Sequence, residues 1–355
     1  MPKYILLSIL TLAIALLILG CEPEGPAPAT DVNILSEPAL IEPQIPDPVE
    51  PPTVSNAEPN DIELTQPAEP NEPPAVSQVE PPPPLPPAVE TKPIDAFNAN
   101  FAPIFEIYVN DEGQVDYNSL RRKKSELREL FKKLAELKPA VYEEWTAAEK
   151  IAFWINTYNL KMLDIIIDNY PIESTRIHRL IWPPSSIRHI PPRNEVGPPK
   201  WNSYKFIVMD EEFTLTEIEK RFFRNQFKDP RVFLALTLAS RDSPPLRNEP
   251  YLGQSLDKQL DDQAKKFLAS PSGLRIDRDS NRVLLSVVFE PSLPWYGNEF
   301  LKKYAIDKKF KSQPPVVRAA LNFAIGYLPE ATINYLETGN YDVRYKSYDW
   351  RLNEQ

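Results

Sequence analysis

From residue 22 to about residue 95 the chain has no aromatic residue and holds about half of its 41 prolines. Such a stretch buries too little apolar surface to offset the entropy of ordering it. It reads as an unfolded spacer and confines any globular domain to the residues that follow. Glu-Pro, Pro-Pro and Asn-Glu-Pro units recur without a strict period, and the PPPPLPP run at residues 81–87 should adopt polyproline II. At ~3.1 Å per residue the spacer would reach on the order of 200 Å when fully extended. Roughly 15 acidic residues stand there against one base, Lys92, a local net charge of about −14 in a chain whose total is −10. The remainder is therefore near neutral, roughly +3, and shows no long basic run of the kind that binds nucleic acid. A solvated spacer is the default reading of such composition, and capture of the PPPPLPP run by an aromatic-lined groove is the alternative.

The residues ahead of the spacer read as an export signal. Lys3 supplies a positive start, and an apolar run over residues 5–19, interrupted by Ser8 and Thr11, ends in Ile18-Leu19-Gly20-Cys21. The run is about 15 residues long, short of the ~20 that a helix needs to cross a bilayer. An uncleaved membrane anchor with an incidental cysteine is the competing reading. The aliphatic-x-Gly-Cys pattern resembles the lipobox of bacterial lipoproteins. That resemblance implies a signal peptide over residues 1–20, cleavage before Cys21 and acylation of its thiol and amine; two or more acyl chains hold a protein firmly where one does not. Glu22, where an aspartate would retain the protein at the inner membrane, implies an outer-membrane anchor facing the periplasm if the cell is Gram-negative.

Residues 96–355 are long enough for one large domain, and no internal repeat or second proline-rich break divides them. Helix and strand signals mix without regular βαβ alternation, which predicts an α+β fold, helix-rich, with a small antiparallel sheet. Helices are expected from Asp95 to Tyr108, from Leu120 to Leu137, from a Thr146 cap to Asn169, from Ile218 to Phe227 behind a Thr214/Glu217 capping box, from Asp229 to Ala239, from Ser255 to Leu268 and from Pro315 to Tyr327. The Thr146–Asn169 helix is apolar nearly all round, as a buried central helix must be. Strands are expected at Tyr204–Met209, Leu274–Ile276 and Val283–Phe289, the last two as a hairpin around the Asp277–Asn281 turn.

Several segments, in order, resemble the bacterial and eukaryotic family known as domain of unknown function 547. They are AFWINTYNLKMLDIIIDNYP (Ala152 to Pro171), FTLTEIEKRFFR (Phe213 to Arg224), DPRVFLALTLASRDSPPLRNEPY (Asp229 to Tyr251), LDKQLDDQAKKFL, Trp295-Tyr296 and YDWRLNE (Tyr348 to Glu354). The family is similar to papain-like and transglutaminase-like folds, which implies papain-like ancestry and a cysteine nucleophile activated by histidine. This chain departs at each such position. Ser243 stands where the family has its cysteine, and Phe233 and Lys220 stand where it has histidines. Cys21 is the only cysteine, and His178 and His189 are the only histidines. Thiol catalysis by the domain and a Cys/His zinc site are thereby excluded.

These departures imply a membrane-anchored, non-catalytic domain whose old cleft binds a peptide, glycan or protein partner. One alternative is a hydrolase or acyl transferase using Ser243, with Lys220 as base, or a carboxylate pair of Glu219 and Asp242. Another is an architectural envelope spacer. Binding or buttressing candidates are Trp154, Asn156, Tyr158, Asn159, Arg224, Trp295, Tyr296 and Asp349. Asn156 and Asn159 share a helix face, and buried amides require partners. The segment around His178, Trp182 and His189, rich in Pro and Arg, reads as a long loop packed by its prolines, with an acidic or glycan ligand as the functional alternative. No glycine-rich phosphate loop, HExxH or EF-hand pattern occurs, so no cofactor or metal is expected. Replacing Cys21 by Ser should move the protein from the membrane to the soluble fraction when cells are fractionated; retention on the membrane would count against acylation.

Overall fold

A computed structural model describes residues 93–176, 178–190, 201–292, 296–305 and 309–355. The expected signal peptide, Cys21, the spacer up to residue 92, Arg193 and Trp295 lie outside the described residues, as does the His178 side chain. Among the described residues no helix is long and apolar enough to cross a membrane.

Helices α1 (Pro93–Tyr108) and α2 (Lys124–Glu136) lead to α3 (Ala147–Asn169). The hydroxyl of Thr146 accepts from the Glu149 N–H, and the Glu149 carboxylate accepts in return from the Thr146 N–H, so the first turn opens with its donors satisfied. Every residue of α3 from Ala152 to Ile167 is buried. This burial explains the missing polar face: the helix has no side turned to water. Lys161 is tolerated there because its ammonium meets Asp164 at 2.7 Å and lies over the rings of Phe131 and Phe206 at 5.2 and 5.3 Å. Trp154 stacks on Phe222 at 3.9 Å and donates to the Tyr142 hydroxyl at 2.8 Å.

Around this helix the chain adds a two-stranded antiparallel ribbon, β1 (Phe206–Val208) with β2 (Glu211–Phe213), and then a helical turn at Leu215–Ile218 behind the Thr214/Glu217 capping box. That turn widens into a π-helix over Glu219–Phe227 where an α-helix was expected. Helix α4 (Leu256–Ala269) precedes a three-stranded sheet of order β3–β4–β5 (Arg275–Asp277, Arg282–Leu285 and Asp342–Tyr345). Helices α5 (Gly297–Tyr304), α6 (Pro315–Ala324) and α7 (Glu330–Thr338) lie between its last two strands in sequence. The architecture is helix-rich α+β, as the sequence predicts.

The elements differ from expectation in four further places. The strand expected over Tyr204–Met209 is shorter because Met209 and Asp210 turn at φ 52° and 59° into β2. The strand expected over Val283–Phe289 ends at Leu285, where the Ser286 hydroxyl accepts from the Val288 N–H and starts a 3₁₀ turn. The β1–β2 ribbon is the small antiparallel sheet expected; in the second sheet β3–β4 form the expected hairpin and β5, which was not expected, joins β4 in parallel, Val283 opposite Val343. The helix expected over Asp229–Ala239 is a 3₁₀ turn, Pro230–Leu234, followed by irregular chain.

Buried amides account for that last difference. Asn159 of α3 donates to the Ala235 carbonyl at 2.9 Å and accepts from the Thr237 N–H at 3.0 Å. One turn earlier, Asn156 donates to the Tyr251 carbonyl and accepts from the Tyr251 N–H, both at 2.8 Å. Gln259 and Gln263 of α4 do likewise from the other side. Gln259 accepts from the Leu252 N–H and donates to the Pro250 carbonyl; Gln263 donates to the carbonyls of Leu234 and Pro245. The loop from Ala235 to Tyr251 is thus pinned at both ends by side chains that stand in for a strand partner, and helical hydrogen bonds lose the competition. Asn159→Ala would leave a buried carbonyl and a buried N–H unpaired, each costing roughly 1–3 kcal/mol, so urea unfolding should show a loss of about 3 kcal/mol. A loss below ~0.5 kcal/mol, typical of a surface change, would show that the amide clamps nothing.

Candidate functional site

The pinned loop forms one wall of a cavity of about 740 Å³, within the rough 300–1,000 Å³ range of ligand pockets. Ser240–Pro245 form that wall, Asp111–Gln114 face them, the end of α4 with Ser270–Ser272 closes one side, and Asp349 and Asn353 close another. Gly113 makes the close approach possible: its φ is +79°, and a Cβ there would lie 2.7 Å from the Leu246 nitrogen. The C-terminal segment is laced in by backbone. Arg241 N–H donates to the Arg351 carbonyl, Val115 N–H donates to the Asn353 carbonyl, and Leu352 bridges Ser240. The Asn353 amide accepts from the Tyr117 hydroxyl at 2.7 Å and donates to the Gly113 carbonyl at 3.0 Å.

Within this cleft Ser243 is 5% exposed, and its hydroxyl oxygen accepts from the Leu238 N–H at 2.8 Å. Ser240 shares a 2.6 Å hydrogen bond with the Tyr348 hydroxyl. Asp242 accepts from the Ser272 hydroxyl and the Asp349 N–H, at 2.7 and 2.8 Å. Asp349 is held below the usual carboxylate range by its hydrogen bonds to Arg351. Among the described residues no histidine lines the cleft, and the lysine that does, Lys266, is exposed and donates to the Asp111 carbonyl. His189 lies elsewhere, bonded through Nε2 to the Pro183 carbonyl at 2.8 Å. Trp182 meets Trp350 edge to face at 6.0 Å, with the Arg188 guanidinium over both rings.

A second constellation gathers at the π-helix. Its wider turn sets Glu219 and Arg224, five residues apart, on one face, with carboxylate and guanidinium 3.7 Å apart. Glu219 accepts from the hydroxyls of Tyr158 at 2.9 Å and Tyr296 at 3.4 Å. Burial pushes its carboxyl above the ordinary value of 4.5, against the opposing pull of Tyr158 and Arg224. Burial and the nearby Glu219 charge push both tyrosines upward. Tyr296 stacks on Phe233 at 4.5 Å, and Arg224 lies over both rings and bonds Glu299 at 2.8 Å.

The sequence candidates therefore divide. Ser243, Asp242 and Asp349 line the cleft, whereas Phe233 and Arg224 line another cavity and the exposed Lys220 lines neither. Glu219 and Asp242 have separate hydrogen-bond partners, Glu219 the Tyr158 and Tyr296 hydroxyls and Asp242 the Ser272 hydroxyl and the Asp349 N–H. Trp154, Asn156 and Asn159 are buried in the scaffold, and Tyr158 and Tyr296 serve Glu219. Sequence reasoning missed Gln259, Gln263, Glu299 and Tyr348. The two glutamines were detectable as amides four apart on the apolar face of an amphipathic helix. Among the described residues no group of three or more His, Cys, Asp or Glu side chains is placed to hold a metal.

A family model described as "Protein of unknown function, DUF547" matches residues 142–268. The match runs from just before α3 through the ribbon, the π-helix and the pinned loop to the end of α4. No curated protein and no solved structure matches the chain.

Because Glu219 holds its proton more tightly folded than unfolded, the fold loses stability as pH rises from 4.5 through the raised value, and the loss is complete above it. Glu219→Gln cannot titrate. Comparing denaturation midpoints across pH should show the variant gaining on the native chain through that window; a gap that stays flat or moves the other way would contradict the buried carboxyl.

Proposed function

We propose that this chain is a lipid-anchored protein of the cell envelope whose globular domain binds a cationic peptide in the Ser240–Pro245 cleft without transforming it. The observation that carries this reading is the state of Ser243. It stands where the resembled papain-like family has its cysteine, yet its oxygen caps the Leu238 N–H, and among the described residues no histidine or buried lysine lines the cleft to take its proton. A serine hydroxyl without a base is a poor nucleophile. The cleft remains concave, pinned at both ends and furnished with hydroxyls and amides, which suits binding. Its rim carries four carboxylates, Asp111, Glu112, Asp242 and Asp349, against Arg241 and Lys266, so a ligand with positive side chains is favoured. The apolar run ending in Gly20-Cys21 and the acidic spacer support delivery of the domain to its partner from a membrane surface.

The test uses the full chain in neutral detergent micelles with a fluorescent, acetylated tetralysine peptide and a tetraglutamate control. The lysine peptide should bind saturably and be recovered intact by mass spectrometry. Ala269→Trp, which fills the cleft from an exposed position on α4, should weaken binding by at least about tenfold, roughly 1.4 kcal/mol. Cleavage of the peptide that disappears in Ser243→Ala would contradict the non-catalytic reading.

A further inference from the structure

We propose that a second cavity, between the π-helix and α5, is a binding site for a phosphoryl group. It has a volume of about 570 Å³, and Arg224, Lys228, Lys302 and Lys303 line it against a single carboxylate, Glu299, over a floor that includes Phe233. Four cations face one carboxylate in the lining, with Glu219 and Asp229 beside them, which leaves the cavity cationic in a domain that is otherwise near neutral.

Arg224 is the built part of the site. Its side chain is 19% exposed, held by Glu299 at 2.8 Å and Glu219 at 3.7 Å, and laid over the rings of Phe233 and Tyr296. These contacts fix the guanidinium plane while using only part of its five donors, and a planar fork fixed in this way matches a phosphoryl group. Glu299, itself buried, draws the Lys302 ammonium to 2.9 Å, and Asp229 draws Lys303 to 3.8 Å, so two flexible side chains are gathered at the mouth. Lys228 closes the π-helix in the left-handed region at φ 57°, a place that favours glycine; a lysine there accepts backbone strain and adds a charge to the cavity. The buried Phe233 and Tyr296 rings beside the Arg224 guanidinium limit its contact with water and strengthen its charge contacts. The lining shares no residue with the Ser243 cleft, so the two sites stand or fall separately.

The test again uses the full chain in neutral detergent micelles. Sodium phosphate is titrated at ionic strength matched with chloride and followed by calorimetry; in a second arm, micellar phosphatidate and, separately, micellar phosphatidylcholine are titrated in the same way. Saturable binding of free phosphate supports a soluble phosphorylated ligand, and saturable binding of phosphatidate but not of phosphatidylcholine or free phosphate supports a lipid-borne one. In either case the double variant Lys302→Glu/Lys303→Glu should bind at least about tenfold more weakly. Lys123→Glu/Lys132→Glu, on exposed positions of another face, should bind as the native chain does. Absence of binding in both arms, or undiminished binding by the Lys302/Lys303 variant, overturns the proposal.

Discussion

The acidic cleft of this domain depends on two side-chain amides, one helical turn apart, on a helix with no face toward water. Asn156 and Asn159 each offer one donor and one acceptor to the backbone of a loop that has no strand partner of its own. Inside a protein, an unpaired amide or an unpaired peptide group costs more than the bond between them contributes, so each half of the arrangement requires the other. The loop between Ala235 and Tyr251 is held open in consequence. Its middle, Ser240–Pro245, is shaped by turns of its own: Ala239 in the left-handed region at φ 49°, and Ser243 capping Leu238.

The helices were legible wherever periodicity and capping agreed. The Thr146/Glu149 and Thr214/Glu217 boxes mark their helix starts correctly because both signals are local, and α3 reads as buried because it has no polar stripe. What escaped was decided by distant partners. A helix over Asp229–Ala239 is reasonable by local pattern, but Asn159, 78 residues before Thr237, takes the backbone group that the helix would have used. Strand β5 lies in an alternating run, Tyr341-Asp342-Val343-Arg344-Tyr345, that sequence reasoning missed, and its parallel pairing with β4 across three helices has no local signal. The widening of the helix after Ile218 likewise has no sequence signature, although it is what sets Glu219 and Arg224 on one face.

The site residues show the same division. Family resemblance selected Lys220, Phe233 and Ser243 as positions of one vanished catalytic group, yet Ser243 and Phe233 line different cavities and Lys220 faces water. The contents of those cavities differ in charge. Carboxylates prevail around Ser243, while cations prevail above Phe233, where the aromatic ring serves as a floor for Arg224. The chain thus pairs an acidic and a basic cavity on one scaffold.

The central claim, that buried amides and not local propensity hold the site loop, is tested most directly by native-state hydrogen exchange of two backbone groups. The N–H groups of Thr237 and Tyr251, which donate to Asn159 and Asn156, should exchange as slowly as the core of α3, opening only with global unfolding, while the exposed Glu249 of the same loop exchanges quickly. If Thr237 and Tyr251 exchange at the rate of the loop around them, the amides do not hold it and the account fails.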